Sequence, residues 1–274
     1  MTTIFIKLLR LRLALLNGVT AIGGYCLFPA PLQAEMLVAI FFGVTLLAMG
    51  GSALNQLLER DVDAVMTRTC LRPLPQRDIS PAFALMAGLV AIAAGLAMLA
   101  VTGGYFPPLL GIAALVWYLA VYTPLKRLTS MALPLGALCG AFPPLIGWSL
   151  PGGDPADYRI IILAGVLFLW QIPHFWLLQE CHEEDYRRAG IRLVRMESIP
   201  SGRNALMRLW LIAFIAGAML LPAIGIIGRP AALWYAIFPV LLALLAMMRS
   251  RRNLFFVCLN LFPLLVTLTL LLRN

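Results

Sequence analysis

Asn55-Gln56-Leu57-Leu58-Glu59-Arg60-Asp61-Val62-Asp63 lies where a long apolar run meets a polar segment, and Arg68-Thr69-Cys70-Leu71-Arg72-Pro73-Leu74-Pro75 follows it. Asn55, Glu59 and Asp63 are spaced i, i+4, i+8. On a continuous helix they fall on one stripe, each about 6 Å above the last. Three oxygen-bearing side chains on one stripe at a membrane boundary can hold Mg²⁺ through carboxylates, with a substrate phosphate completing the shell. Arg68 and Arg72 then supply fork-shaped donors suited to phosphate oxygens. A solvated helix end needs none of these residues in this order.

The apolar run that ends here is one of nine. They are marked off at about 13–31, 36–58, 82–101, 105–122, 131–150, 159–178, 206–227, 232–248 and 254–272. Each is close to the ~20 residues that cross a bilayer core. The first reads as a span rather than a cleaved leader, because the run is long and no small-residue cleavage site follows it. With 62% hydrophobic and 12% charged residues, the chain could not cover a soluble surface with polar groups. Eighteen of the 21 Lys and Arg fall in one alternating set of loops, leaving Arg159, Arg229 and Arg273 on the other face. That asymmetry places the N-terminus in the cytoplasm and, after nine spans, the C-terminus outside. The net charge of +9 is therefore an orientation signal and excludes nucleic acid as the partner it might suggest.

Acidic residues contribute little to orientation, yet nine of the twelve lie in the two longest cytoplasmic loops. These are Glu59, Asp61, Asp63, Asp78, Glu180, Glu183, Glu184, Asp185 and Glu197. Loops 59–81 and 179–205 thus look like two polar arms over one mouth of a single membrane domain, 1–274. Asp61 points off the Asn55 stripe and can pair with Arg60 or join a second metal. Cys26, Cys70, Cys139, Cys181 and Cys258 have no metal-site or disulfide spacing and read as isolated thiols. His174 and His182 are the only histidines. His174 follows Pro173 near the cytoplasmic mouth, where neutral imidazole could meet an iron, although packing is the commoner role.

Asn55-x3-Glu59-x3-Asp63 with Arg68-Thr69 and Arg72-Pro73-Leu74 resembles the motif of the UbiA superfamily of intramembrane prenyltransferases, with Glu59 in place of the usual first aspartate. Tyr122-Thr-Pro-Leu-Lys126-Arg127 is similar to that family's Tyr-x-Pro-x-Lys-Arg loop. Gly140-Ala-Phe-Pro-Pro-Leu-Ile-Gly147-Trp148, Trp170-Gln171-Ile-Pro173-His174-Phe175 and Glu184-Asp185-Tyr186-Arg-Arg-Ala189-Gly190 resemble its haem-modifying branch. The resemblance covers about residues 50–195. It implies an all-α protein with nine transmembrane helices around a central cavity, in a bacterial inner membrane.

The resemblance also implies transfer of a farnesyl group from farnesyl diphosphate to the 2-vinyl group of haem b, giving haem O. Mg²⁺ would be held by Asn55, Glu59, Asp63 and Asp185, with Arg68 and Lys126 on the leaving diphosphate. Arg72, Tyr122, Arg127, His174 and His182 are further substrate-binding candidates. Membrane lipids surround such a protein, and haem A synthase or terminal oxidase assembly proteins are its expected partners. Two features depart from the family pattern. The usual second Asp-x3-Asp motif is absent, and Ile191-Arg-Leu-Val-Arg195 follows Gly190 where Pro-Met-Leu-Pro is expected. An aromatic quinone or chlorin-like acceptor is the rival enzymatic reading. A haem-binding or transport protein without catalysis is the other rival, but a transporter places its ionisable residues near the midplane.

Overall fold

The computed structural model describes residues 2–192, 202–248 and 251–273. Residues 193–201 of the expected 179–205 loop, with Arg195 and Glu197, lie outside the described residues, as does Arg249. The main helices are α1 Leu11–Leu27, α2 Ala34–Leu58, α3 Pro81–Gly103, α4 Phe106–Leu128, α5 Ala132–Ser149, α6 Tyr158–Cys181, α7 Gly202–Ala223, α8 Arg229–Met247 and α9 Arg252–Leu271. Eight of these are long and apolar enough to cross a membrane, and α1, with 17 residues, is a shorter apolar helix in the remaining place. No strand occurs among the described residues.

Local signals set the helix ends. Ser80 accepts a hydrogen bond from the Phe83 amide and Pro81 occupies the first turn, so α3 starts there. Asp157 caps α6 by accepting from the Arg159 amide. The fourth helix differs from expectation: the Tyr122–Arg127 segment is not a loop but the last turns of α4. Trp117–Tyr122 forms a π-helical turn in which the Thr123 amide donates to the Tyr118 carbonyl. Pro124 enters just after that widened turn, where the regular ladder is already broken, and so the helix continues to Leu128.

Helix α1 is central, touching α2, α5 and α9, while α2 packs most extensively on α3. The α1–α5 contact is backbone to backbone. A Cβ on Gly24 would collide with the Pro144 carbonyl, and one on Gly147 with the Ala21 carbonyl. Small residues at such crossings are how helices associate in lipid, where tail and side chain are equally apolar. One interior cluster centres on Trp148, Phe214 and Phe262, and another on Ile40, Val44 and Leu99. Large apolar side chains on the outer faces, among them Val90, Val101, Trp234 and Val257, are exposed. A belt of that size is stable against lipid and not against water.

Candidate active site

A cavity opens between α1, α2, α4, α5 and α6, at the end of the bundle where the 59–80 and 182–191 segments lie. No residue of α3, α7, α8 or α9 lines it among the described residues. Its inner wall is apolar, with Val44, Leu47, Ala48, Gly111, Ala114, Leu115 and Ile146. Among the described residues its mouth carries four cationic side chains, Arg10, Arg68, Arg72 and Lys126, against two carboxylates, Glu59 and Asp63.

The anticipated continuous stripe is interrupted. Helix α2 ends at Leu58, and Glu59 takes a non-helical conformation before the short helix Arg60–Val65. The amides of Glu59 and Asp63 still donate to the carbonyls four residues back, at 3.0 and 2.8 Å. The three side chains therefore stay together, and Asn55, Glu59 and Asp63 are all buried. Asn55 Nδ2 donates to Glu59 Oε2 at 3.1 Å and to Thr123 Oγ1 at 3.0 Å. The Thr123 hydroxyl donates in turn to the Tyr118 carbonyl, 2.8 Å away. The second-helix motif is thus tied directly to the π turn of α4.

Both carboxylates are engaged by cations of the protein. Lys126 Nζ meets Glu59 Oε2 at 2.5 Å, and Arg72 Nη1 meets Asp63 Oδ2 at 2.5 Å. Glu59 Oε1 is buried and without a partner. That orphaned acceptor, beside a second carboxylate and an amide, suits a hard divalent cation. No ready-made cluster of three His, Cys, Asp or Glu exists among the described residues. Lys126 also lies 5.8 Å above the Tyr122 ring, which stacks on Tyr118 with centroids 6.2 Å apart. Arg10 and Arg68 make no ion pair among the described residues, so two positive charges at the mouth lack a protein counter-ion.

The other expected residues fall outside the cavity lining. Arg127 forms a two-pronged pair with Asp61 on the exterior, at 2.9 Å for both contacts. That hydrogen-bonded guanidinium holds the Asp61 carboxyl below its usual range. Asp61 thus pairs with Arg127, not with Arg60. Asp185 accepts from the Thr67 and Arg68 amides, each at 3.0 Å, and from Arg188 at 2.8 Å. Burial alone would raise its carboxyl, but the Arg68 amide, the Thr67 hydroxyl and amide, and Arg188 outweigh it and hold it at about 2. His174 is stacked between Trp170 and Phe256, at 5.2 and 5.6 Å, in the α6–α9 contact. His182 Nδ1 lies 3.0 Å from the Leu178 carbonyl at the end of α6.

Several lining residues escaped the reading of the sequence. Arg10 sits in a left-handed backbone conformation, φ 46°, that turns the chain from a short N-terminal helix, Thr2–Leu8, into α1. It shares its side of α1 with Leu13 and Asn17. Tyr118, Gln171, Gln179 and Tyr186 also line the cavity. The Gln171 and Tyr186 positions lie within quoted motifs, which was the available signal; Arg10 looked like an ordinary membrane anchor.

Comparison with known proteins bears on this site. The profile of the UbiA prenyltransferase family matches residues 17–255. The chain is 55% identical over 273 residues to the protoheme IX farnesyltransferase of Geobacter sulfurreducens, covering 100% of each chain. The apo structure of a UbiA homologue from Aeropyrum pernix K1 superposes with a TM-score of 0.75 at 19% identity, covering 96% of this chain and 98% of that one. A UbiA homologue from Archaeoglobus fulgidus, bound to GPP and Mg²⁺, gives a TM-score of 0.68 at 14% identity, covering 97% and 99%.

Proposed function

Because this chain belongs to the UbiA prenyltransferase family, we propose that it transfers a farnesyl group from farnesyl diphosphate to the vinyl group of protohaem, giving haem O. The protein lies in a bacterial inner membrane with its N-terminus and cavity mouth on the cytoplasmic side. The observation that carries this reading is the cavity itself, an apolar chamber under a mouth with a surplus of two positive charges. A prenyl diphosphate has that same division, an apolar tail and a polyanionic head. The identity to the Geobacter protein directs the choice of prenyl donor and acceptor.

The head group would be gathered by Arg68, Arg72 and Lys126, with Arg10 facing the same space. Asn55, Glu59 and Asp63 would hold Mg²⁺, which when bound neutralises diphosphate oxygens and acts as a Lewis acid on the leaving group. In the structure the two carboxylates already neutralise Lys126 and Arg72. Binding therefore exchanges partners instead of desolvating new charges, and the cations become free to meet phosphate. As the C–O bond breaks, these fixed donors stabilise the charge that builds on the leaving oxygen. The stacked faces of Tyr118 and Tyr122 shield the allylic cation from water. The vinyl π electrons then form the new C–C bond, and water adds to the resulting cation with loss of a proton to solvent.

The test is direct. Purified protein given farnesyl diphosphate, Mg²⁺ and protohaem should yield, by mass spectrometry, a haem heavier by one farnesyl group and one hydroxyl group. Transfer only to a quinone-type or chlorin-like acceptor would move the assignment to that acceptor. Haem binding with no transfer to any acceptor would overturn catalysis.

Neither histidine lines the cavity, so we expect neither to carry acceptor binding. His174→Ala empties a slot between two stacked rings. It should lower stability by about 2 kcal/mol and leave the KM for haem unchanged. His182→Ala should change neither. Denaturant midpoints and haem titrations of both variants check this, and a weakened haem titration in His174→Ala would restore the residue as a ligand.

A further inference from the structure

Asp185 stands apart from the other acidic residues of the two loops. It is buried, yet it is not among the residues that line the cavity. Oδ1 accepts from the Thr67 amide and from Arg188, and Oδ2 accepts from the Arg68 amide. Arg188 also donates to Thr67 Oγ1 at 2.8 Å, so the group closes into a ring of hydrogen bonds. A divalent cation needs carboxylate lone pairs that are free and aimed at it. Here three donors hold them, and one of those donors is itself a cation. Asn55, Glu59 and Asp63 fit a metal, with cavity-facing positions and an orphaned Glu59 oxygen; Asp185 does not.

Asp185 instead grips the peptide that carries Arg68. The Arg68 side chain is exposed at the mouth and makes no hydrogen bond or ion pair among the described residues, so its direction depends on its backbone. We propose that Asp185 is a positioning residue for Arg68: by fixing two successive amides it aims the guanidinium at the head group of the prenyl donor. Bonds from amides to an ionised carboxylate are among the stronger ones available to a loop. They also join segments 117 and 118 residues apart, which couples the second polar arm to the first. The inference rests on the diphosphate reading of the cavity.

The experiment uses the full chain in detergent, with Mn²⁺ as a spectroscopic stand-in for Mg²⁺ and inorganic diphosphate as the anion. Electron paramagnetic resonance should show Mn²⁺ bound by Asp185→Asn as tightly as by the wild type, while Asp63→Asn loses it. The KM for farnesyl diphosphate should rise about tenfold in Asp185→Asn and in Arg68→Ala. The double variant should be no worse than Arg68→Ala, because both changes remove the same contact. Arg188→Gln removes the outer arm of the ring and keeps Asp185. It should raise the same KM by about threefold, and this arm decides the matter if Asp185→Asn does not fold. Loss of Mn²⁺ in Asp185→Asn equal to that in Asp63→Asn, losses that multiply in the double variant, or an unchanged KM in Arg188→Gln would each overturn the proposal. Failure of the wild type to bind Mn²⁺ with diphosphate would fall instead on the diphosphate reading, and the Arg68 comparison would still decide the role of Asp185.

Discussion

Asp63→Asn is expected to lower kcat by about 10³-fold, the scale of losing a fixed electrostatic contact to a developing charge. Asp63 is buried at the mouth and its carboxylate meets Arg72 at 2.5 Å. Asparagine keeps the shape but offers one neutral oxygen where a carboxylate offered two charged ones. Among the described residues no other acidic side chain lines the cavity except Glu59, which already serves Lys126 and Asn55. Fold should survive the change, because Arg72 is partly exposed and can turn to solvent. Single-turnover kinetics with a thermal unfolding scan check both halves. A folded variant with near-normal turnover would remove Asp63 from the metal and diphosphate set.

Chelation should abolish turnover completely and reversibly. A diphosphate brings about three negative charges into a mouth whose own surplus is two positive charges. Ion pairing alone could hold it, but then Glu59 and Asp63 would repel the anion once their own cations turned towards it. Divalent metal removes that conflict by giving the carboxylates a partner. Dialysis against EDTA, then stepwise return of Mg²⁺, should show activity vanishing and returning with saturation. Full activity after EDTA treatment would mean that the carboxylates serve only to neutralise Lys126 and Arg72.

The fold was legible because lipid imposes long apolar runs, and nine such runs can be seen without any contact information. The grouping of Asn55, Glu59 and Asp63 was also legible, since the three are neighbours in sequence as well as in space. Even the helix break at Glu59 left them together, because the four-residue hydrogen bonds persist through it. What stayed hidden depends on distant pairing or on backbone direction. Asp185 meets the Thr67 and Arg68 amides across more than a hundred residues, contacts that the resemblance grouping it with the metal-holding residues could not show. Arg10 reaches the cavity through a left-handed turn that no local residue pattern announces. His174 was drawn towards the mouth by its motif, yet its ring fills a slot between Trp170 and Phe256.

The π turn at Trp117–Tyr122 makes the spacing of α4 a matter of counting. Each residue of an α-helix turns the next by about 100°, and a π turn absorbs one residue more than the α repeat allows. Everything beyond it is phased accordingly, and in that phase Lys126 points at Glu59 and Arg127 at Asp61. A deletion of one residue inside 117–121 would therefore turn the segment into an ordinary α turn and leave the direction of everything after it nearly unchanged. Lys126 would still face Glu59, and Arg127 would still face Asp61. Such a deletant would lose only the widened turn itself, in which the Thr123 amide reaches the Tyr118 carbonyl. An insertion elsewhere in α4 has no such buffer and would turn both cations by about 100° away from their carboxylates. The turn thus acts as slack in the helix, a place where one residue can be lost without disturbing the pairs beyond it.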